Sequence, residues 1–294
     1  MDLIGEELLE PRVLYEDSSL IAVLKPTRMH SVPGLGVGDL CAWIFERYPE
    51  VREAGKGVGR TARSLAEGGL LHRLDYETSG IALFARNTDA FISLLQQQER
   101  GTFHKEYLAF SGVSSESYPL GSVPQEGFPG GVAEDAWTEA REGLDVASLA
   151  ALLDAAVKGG SCVVSCSFRS FGPKGSRVAC LRPDTGQTKK AGATYRSEIL
   201  GYSAFSTRFD PMKGGSALEL RIRLSRGFRH QIRAQLAWIG LPISGDSLYG
   251  GAADERLRLY AVGLAFEHPL TGEAFSLSTE TRRESLVAFR TQLR

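Results

Sequence analysis

Apolar runs of strand length follow one another with only a turn between them, and this limits the folds open to the 294-residue chain. Val13-Leu14-Tyr15 and Leu20-Ile21-Ala22-Val23-Leu24 are separated by Glu16-Asp17-Ser18-Ser19, and Lys25-Pro26 stops the second run because proline donates no ladder hydrogen bond. Residues 216–224 alternate Leu218, Leu220, Ile222 and Leu224 with Glu219, Arg221 and Arg223, the period of a half-buried strand. Further strand-like segments fall at 81–85, 103–110, 162–168, 192–200, 261–267 and 274–277. Helical patterns occupy 39–48, 88–100, 147–158 and 229–239, with Asp39 and Asn87 or Thr88 as N-caps and Gly101 closing the second helix. On the last helix Ile232, Leu236 and Ile239 form the stripe expected to be buried, with Arg233 at its edge and His230 opposite. Strands that neighbour one another in sequence exclude a doubly wound sheet and point to an α+β fold with a largely antiparallel sheet.

An apolar share of 43% with 23% charged residues is that of a globular protein with a sizeable core. No apolar run approaches the roughly 20 residues that cross a bilayer, and Met1-Asp2-Leu3-Ile4-Gly5-Glu6-Glu7 lacks the basic start of a signal peptide. A cytoplasmic protein is expected. Cys41, Cys162, Cys166 and Cys180 suit a reduced compartment, and Cys162 and Cys166 lack a second pair at zinc-like spacing, so they read as buried strand thiols rather than metal ligands. The net charge of −1 conceals an uneven distribution. Residues 114–160 carry −6, leaving +5 for the rest, and acid-free basic blocks run from Arg169 to Arg182 and from Arg221 to Arg233. Such blocks suit a phosphate-binding groove or a solvated face. Within the acidic stretch, residues 114–136 are rich in Gly, Pro and Ser without a period and read as a mobile surface loop.

The densest cluster of reactive side chains is Leu70-Leu71-His72-Arg73-Leu74-Asp75-Tyr76-Glu77-Thr78-Ser79-Gly80, which leads into Ile81-Ala82-Leu83-Phe84-Ala85. A carboxylate here sits on irregular backbone between two anchored segments, where rigid scaffolds place chemistry. Asp75 could equally pair with Arg73 or cap the local turn. Neither a G-x-S-x-G elbow nor an H-E-x-x-H pair is present.

His72-Arg73-Leu74-Asp75 with Thr78-Ser79-Gly80 resembles the HRLDxxTSG signature of RluA-type pseudouridine synthases (the RluA/RsuA superfamily), which isomerise uridines in ribosomal or transfer RNA. Four more blocks resemble that family in the same order: residues 17–26; Lys105-Glu106-Tyr107-Leu108-Ala109, like its KxYxA strand; Gly227-Phe228-Arg229-His230-Gln231-Ile232-Arg233, like GRxHQIR; and residues 240–250, like GHPIxGDxxYG. Phe228 stands where the pattern has Arg, with Arg229 or Arg226 able to stand in, and Leu241 and Tyr260 replace histidines of the family pattern. The resemblance implies a single catalytic domain over residues 1–294, with a mixed, largely antiparallel sheet, flanking helices and a central cleft. The acidic insert at about 112–160 is outside the family pattern, and no separate N-terminal RNA-binding module is expected, since about a dozen residues precede the first strand.

The same resemblance implies the chemistry. Asp75 is the essential carboxylate, acting as nucleophile or as the base that removes a ribose proton. Arg233 keeps it ionised, a role that suits a bidentate guanidinium. Tyr107 stacks on the target base and can help to remove the proton at carbon 5. Arg73 fills the space left by the extruded nucleotide, while Arg226, Arg229 and His230 contact RNA; His72 is structural or RNA-facing. Without the resemblance, Arg233 reads as a solvated helix arginine and Tyr107 as a core ring. The reaction uses no cofactor and no metal. A monomer is expected, with structured RNA, ribosomal or transfer, as partner and no membrane. The alternative is a catalytically silent RNA-binding protein on the same fold, for which the trio Asp75, Tyr107 and Arg233 would have no use.

Overall fold

The structure, a computed structural model, describes residues 9–33, 38–58, 67–112, 146–158, 162–181, 193–206 and 216–279, together with Ala136 and Glu139. The expected loop at 114–136 and most of the acidic insert therefore lie outside the described residues. In chain order the elements are β1 (Arg12–Glu16), β2 (Leu20–Lys25), α1 (Leu40–Arg47), β3 (Ser79–Ala85), α2 (Thr88–Arg100), β4 (His104–Ser111) and α3 (Val146–Lys158). There follow β5 (Val163–Phe171), β6 (Arg177–Leu181), β7 (Tyr195–Ser206), β8 (Ser216–Leu224), α4 (Gln231–Trp238), β9 (Leu259–Glu267) and β10 (Ala274–Ser278). No helix among the described residues is long and apolar enough to cross a membrane. Contacts divide the chain into two compact units. One holds the residues up to Tyr107 with Leu224–Arg229 and Leu259–Thr279, the other Leu108–Arg223 and His230–Arg258.

In the first unit, β1 and β2 form a hairpin that Asp17 closes: its carboxylate accepts from the backbone N–H of Ser19 at 2.7 Å and of Leu20 at 2.8 Å. Burial alone would raise the Asp17 pKa, but these bonds, with those from Tyr15 and His268, lower it. The strands run in the order β1-β2-β3-β9-β4, with β10 added to β9. β1 with β2, β2 with β3 and β9 with β10 pair antiparallel, and β3 with β9 parallel. Strands β2 and β3 are continuously apolar because both faces of the sheet are covered. Leu20, Ala22, Ile81 and Leu83 pack with Phe91 and Leu94 of α2, whereas Ile21, Val23, Ala82 and Phe84 pack with Leu40, Ile44 and Phe45 of α1. Each fully buried Leu, Ile, Val or Phe contributes about 1.5–3 kcal/mol. Both helices begin where local chemistry directs: Asp39 accepts from Ala42 N–H and Asn87 from Ala90 N–H, each at 2.9 Å, and Gly101 ends α2 in the left-handed region.

In the second unit the order is β8-β7-β5-β6, antiparallel between β8 and β7, β7 and β5, and β5 and β6. The basic block that begins at Arg169, to which the sequence assigned no strand, is paired structure: residues 169–181 are the ends of β5 and β6 around a 3-10 turn at Pro173–Gly175, and Arg182 lies outside the described residues. A correction concerns α4. All eight of its residues are buried, so it has no solvent face, and its two glutamines are satisfied by strands. Gln235 Nε2 donates to the carbonyls of Val164 and Tyr195, both at 3.2 Å, and Gln231 Nε2 to the carbonyl of Arg196 at 3.0 Å. The four cysteines are buried and unbridged.

Candidate active site

The loop that carries Asp75 is irregular backbone held at both ends and along its length. Before it, Leu71 N–H donates to Leu83 O at 2.9 Å; after it, the chain enters β3 at Ser79. Between these points Ser31 Oγ donates to Leu74 O at 2.7 Å and accepts from Leu74 N–H at 2.9 Å, and Thr27 Oγ1 donates to Glu77 O at 2.7 Å. Thr78 N–H closes the turn on Asp75 O at 3.1 Å, and Gln98 Nε2 reaches Leu71 O at 3.0 Å from α2. His72 Nε2 lies 3.2 Å from Ile81 O, which gives that histidine a structural anchorage. Each net bond is worth only about 1 kcal/mol, but together they fix the carboxylate in one place.

Lys25 underlies this loop. It ends β2 fully buried, and its ammonium donates to the carbonyls of Pro26 at 2.9 Å, Met29 at 2.8 Å and, more weakly, Tyr76 at 3.4 Å. Burial lowers its pKa to about 7, while the charge of Asp75 acts in the opposite direction. Tyr107, from β4, is buried, and its phenol is raised well above the ordinary value by burial first and by Asp75 second. Both shifts register the same half-buried carboxylate.

A cavity of about 1110 Å³ opens in this unit. Asp75 and Tyr107 line it, as do Arg73, Arg226 and Arg229 from the expected RNA-binding set. Arg73 is exposed and lies 3.9 Å from Glu67, too loose a pair to tie it down. Two lining features were missed in the sequence. Lys105 is buried beside Tyr107, and an aromatic pair of His30 and the 45%-exposed Tyr76 sits with ring centroids 4.6 Å apart. For Lys105 the available signal was strand alternation, which puts Phe103, Lys105 and Tyr107 on one face. Among the described residues no group of three or more His, Cys, Asp or Glu is placed to hold a metal ion.

The family model described as RNA pseudouridylate synthase matches residues 20–238, a span that contains Asp75, Tyr107 and Arg233. The chain belongs to the RNA pseudouridylate synthase family. Curated pseudouridylate synthases similar to it include ribosomal large subunit pseudouridine synthase D of Vibrio cholerae, 25% identical over 280 residues, and that of Vibrio parahaemolyticus, 23% identical over 279 residues. Each alignment covers 89% of this chain and 64% of the relative, so the chain spans about 64% of the length of the curated relatives it matches. Human RNA pseudouridylate synthase domain containing 1 shares the fold, with a TM-score of 0.56 at 16% identity over 92% of this chain and 84% of the other. A second human structure, RNA pseudouridylate synthase domain containing 4, has a TM-score of 0.50 at 17% identity over 92% and 88% of the two chains.

Two residues that the pseudouridylate synthase resemblance singles out lie in the second unit. Arg233 is not at a helix edge but 2% exposed, and it grips a fully buried Asp246 in bidentate fashion, Nε to Oδ2 at 2.7 Å and Nη2 to Oδ1 at 2.8 Å. The guanidinium stands 5.5 Å from the centroid of the Tyr249 ring. His230, which starts α4 in the left-handed region, is half-buried with Nδ1 3.1 Å from Tyr249 Oη; that oxygen also accepts the Val178 N–H at 2.9 Å. Asp246 and Tyr249 are the Asp and Tyr of the late GDxxYG-like turn, and the GRxHQIR-like and GDxxYG-like blocks are thus one bonded assembly.

Proposed function

We propose that this chain isomerises uridine to pseudouridine in RNA, with Asp75 as the reacting carboxylate. The observation that carries the reading is that Asp75 and Tyr107, distant in sequence, line one cavity together with Arg73, Arg226 and Arg229. In the reaction the bond from ribose C1′ to uracil N1 breaks, the base turns, and C1′ joins C5. C5 loses a proton and N1 gains one, so atoms and charge balance without an external oxidant or reductant. Asp75 acts on the ribose as nucleophile or base. The raised phenol of Tyr107 stays neutral at physiological pH and offers a stacking face without a competing charge. Arg233, its guanidinium plane set by Asp246, is proposed as a catalytic residue on the strength of the family pattern. Arg73 is exposed at the cavity wall, suited to occupy the gap left when the nucleotide is extruded. Arg226 and Arg229 are exposed on the same cavity and suited to phosphate, and His230 completes the proposed RNA contacts.

The two Vibrio relatives are ribosomal large subunit pseudouridine synthases, and large-subunit RNA in the cytoplasm is the proposed substrate and setting. The test is pseudouridine mapping of total RNA from cells lacking the gene, complemented with wild type or Asp75→Ala. At least one site should vanish on deletion and return only with wild type. Persistence of every site, or rescue by Asp75→Ala, would refute the catalytic reading and leave a silent RNA-binding protein in its place.

A further inference from the structure

Among the described residues Lys105 is a cation without a counter-ion. Its side chain is 95% removed from solvent, it lines the cavity, and among the described residues no hydrogen bond or ion pair engages its amine. Burying an ammonium unpaired is among the costlier things a fold can do, and buried lysines are ordinarily paired. Lys25, the other fully buried lysine described in this unit, has two strong carbonyl acceptors, which shows what a structural solution looks like here. Burial lowers the Lys105 amine to about 8, so it remains mostly protonated at neutral pH.

Its neighbours add to the cationic character of the site. A Cβ at Gly227 would stand 3.2 Å from Lys105 Nζ, so the amine rests against the backbone of the segment Arg226-Gly227-Phe228-Arg229. Both arginines of that segment line the cavity with it. Lys105, Arg226 and Arg229 thus put three cationic side chains on the lining of one cavity, a set that favours an anionic ligand. Along β4, Lys105 and Tyr107 point to the same side, their Cα atoms roughly 6–7 Å apart. A base stacked on Tyr107 would therefore carry its own backbone toward the amine. A neutral uracil carbonyl would not relieve the desolvation as a phosphodiester would.

We infer that Lys105, with Arg226 and Arg229 beside it, forms an anion site that holds a backbone phosphodiester next to the extruded nucleotide. The inference rests on the RNA reading above and adds to it a specific contact inside the cavity. Such a site is unfavourable when empty and satisfied when RNA is bound, so it trades stability for affinity.

That trade gives the test. Wild type and Lys105→Met are compared for binding to an unmodified transcript of bacterial large-subunit ribosomal RNA across a salt series, and for thermal unfolding without RNA. Loss of one phosphate contact should make the slope of log K against log salt shallower by about 0.7–0.9, and affinity should fall. In the absence of RNA the Met variant should melt higher, by roughly 3 °C, because an unpaired buried charge has been replaced by an apolar chain of similar volume. A purely structural lysine would give a lower Tm and an unchanged slope, and that result overturns the inference. Lower affinity at an unchanged slope overturns it too, since the contact would then be to a neutral group. If Lys105→Met does not fold, Gly227→Ala carries the test: it keeps every charge but crowds the amine, and a folded variant with undiminished affinity overturns the inference. Failure of wild type itself to bind the transcript would remove the RNA reading, and this site with it, whereas equal binding by wild type and Lys105→Met removes only the site.

Discussion

Gly80 and Ala261 face each other where β3 and β9 run parallel, and a Cβ on Gly80 would lie 2.2 Å from the Ala261 carbonyl oxygen. Gly80 also holds φ at 131°, where a side chain is strained. The glycine that ends the HRLDxxTSG-like block is thus a packing requirement at the point where the Asp75 loop rejoins the sheet.

Gly80→Ala should push β3 and β9 apart and release the downstream anchor of that loop. We expect a loss of about 3 kcal/mol or more in chemical denaturation, from backbone clash and strain together. Activity on RNA should fall even at temperatures where the variant remains folded, because Asp75 loses its fixed position. Unchanged stability would show that the strands separate at no cost.

Asp246→Ala leaves the Arg233 guanidinium buried without the carboxylate that takes two of its nitrogens. Breaking a buried pair by removing one partner typically costs 3–5 kcal/mol, and urea denaturation should show about that loss. Arg233→Lys should also be destabilising, since an ammonium cannot reproduce the bidentate fork. The double change Arg233→Met with Asp246→Leu should be milder than Asp246→Ala alone, because no charge is then left unpaired.

What could be read from sequence and what could not divide along the range of the interactions. Asp39, Asn87 and Gly101 were legible because capping is settled within four residues. Helix α4 was misread because Gln231, Arg233 and Gln235 are polar, and a polar residue on a helix signals a solvent face. Here their partners, Arg196, Asp246 and Val164, lie far along the chain. Strand β6 was hidden by the flanking basic residues and by Gly172-Pro173, which looked like a loop although they form a tight reversal. The motif residues Asp75 and Tyr107 could be named from the resemblance, but their common cavity depends on β4 lying beyond β9 in the sheet order. Lys25 gave no local signal of burial, since lysine is the side chain least expected in a core, whereas for Lys105 the strand alternation that sets it on the face of Tyr107 was the one local sign.

Asp75→Asn should leave the fold intact, because the loop is held by the Ser31, Thr27 and Gln98 side chains acting on backbone atoms. Turnover on RNA should drop by about a thousandfold or more, the scale of losing an acid–base or nucleophilic carboxylate. Removing the Asp75 charge should also lower the Lys25 pKa below its present value of about 7. A proton titration of the lysine side-chain nitrogens by NMR reads this directly. A Lys25 titration that does not move would mean that the two charges are not coupled.

The buried lysine at the end of β2 predicts an unusual dependence of stability on pH. Burial lowers the Lys25 pKa to about 7 in the folded state, from the ordinary 10.5 that it keeps when unfolded. Below pH 7 both states are protonated, and the folded state bears the full cost of a buried ammonium. Between these values the unfolded chain binds more protons than the folded one, so stability rises as pH increases through 7. From pH 7 to 9 the gain from this group is on the order of 2 kcal/mol. The buried thiols act in the opposite sense above the ordinary thiol value of 9.0, because burial keeps Cys41 protonated and holds Cys162 up to about 12 while the unfolded chain ionises. Stability should therefore peak near pH 9 rather than near neutrality. Denaturation at a series of pH values checks this, and Lys25→Met should abolish the larger part of the rise between 7 and 9, leaving the smaller rise due to Lys105, which burial lowers to about 8, and retaining the fall above 9. A wild-type stability that declines steadily from pH 7 would mean that Lys25 is kept protonated by its carbonyl partners through this range, and that its buried charge costs the fold far less than desolvation alone implies.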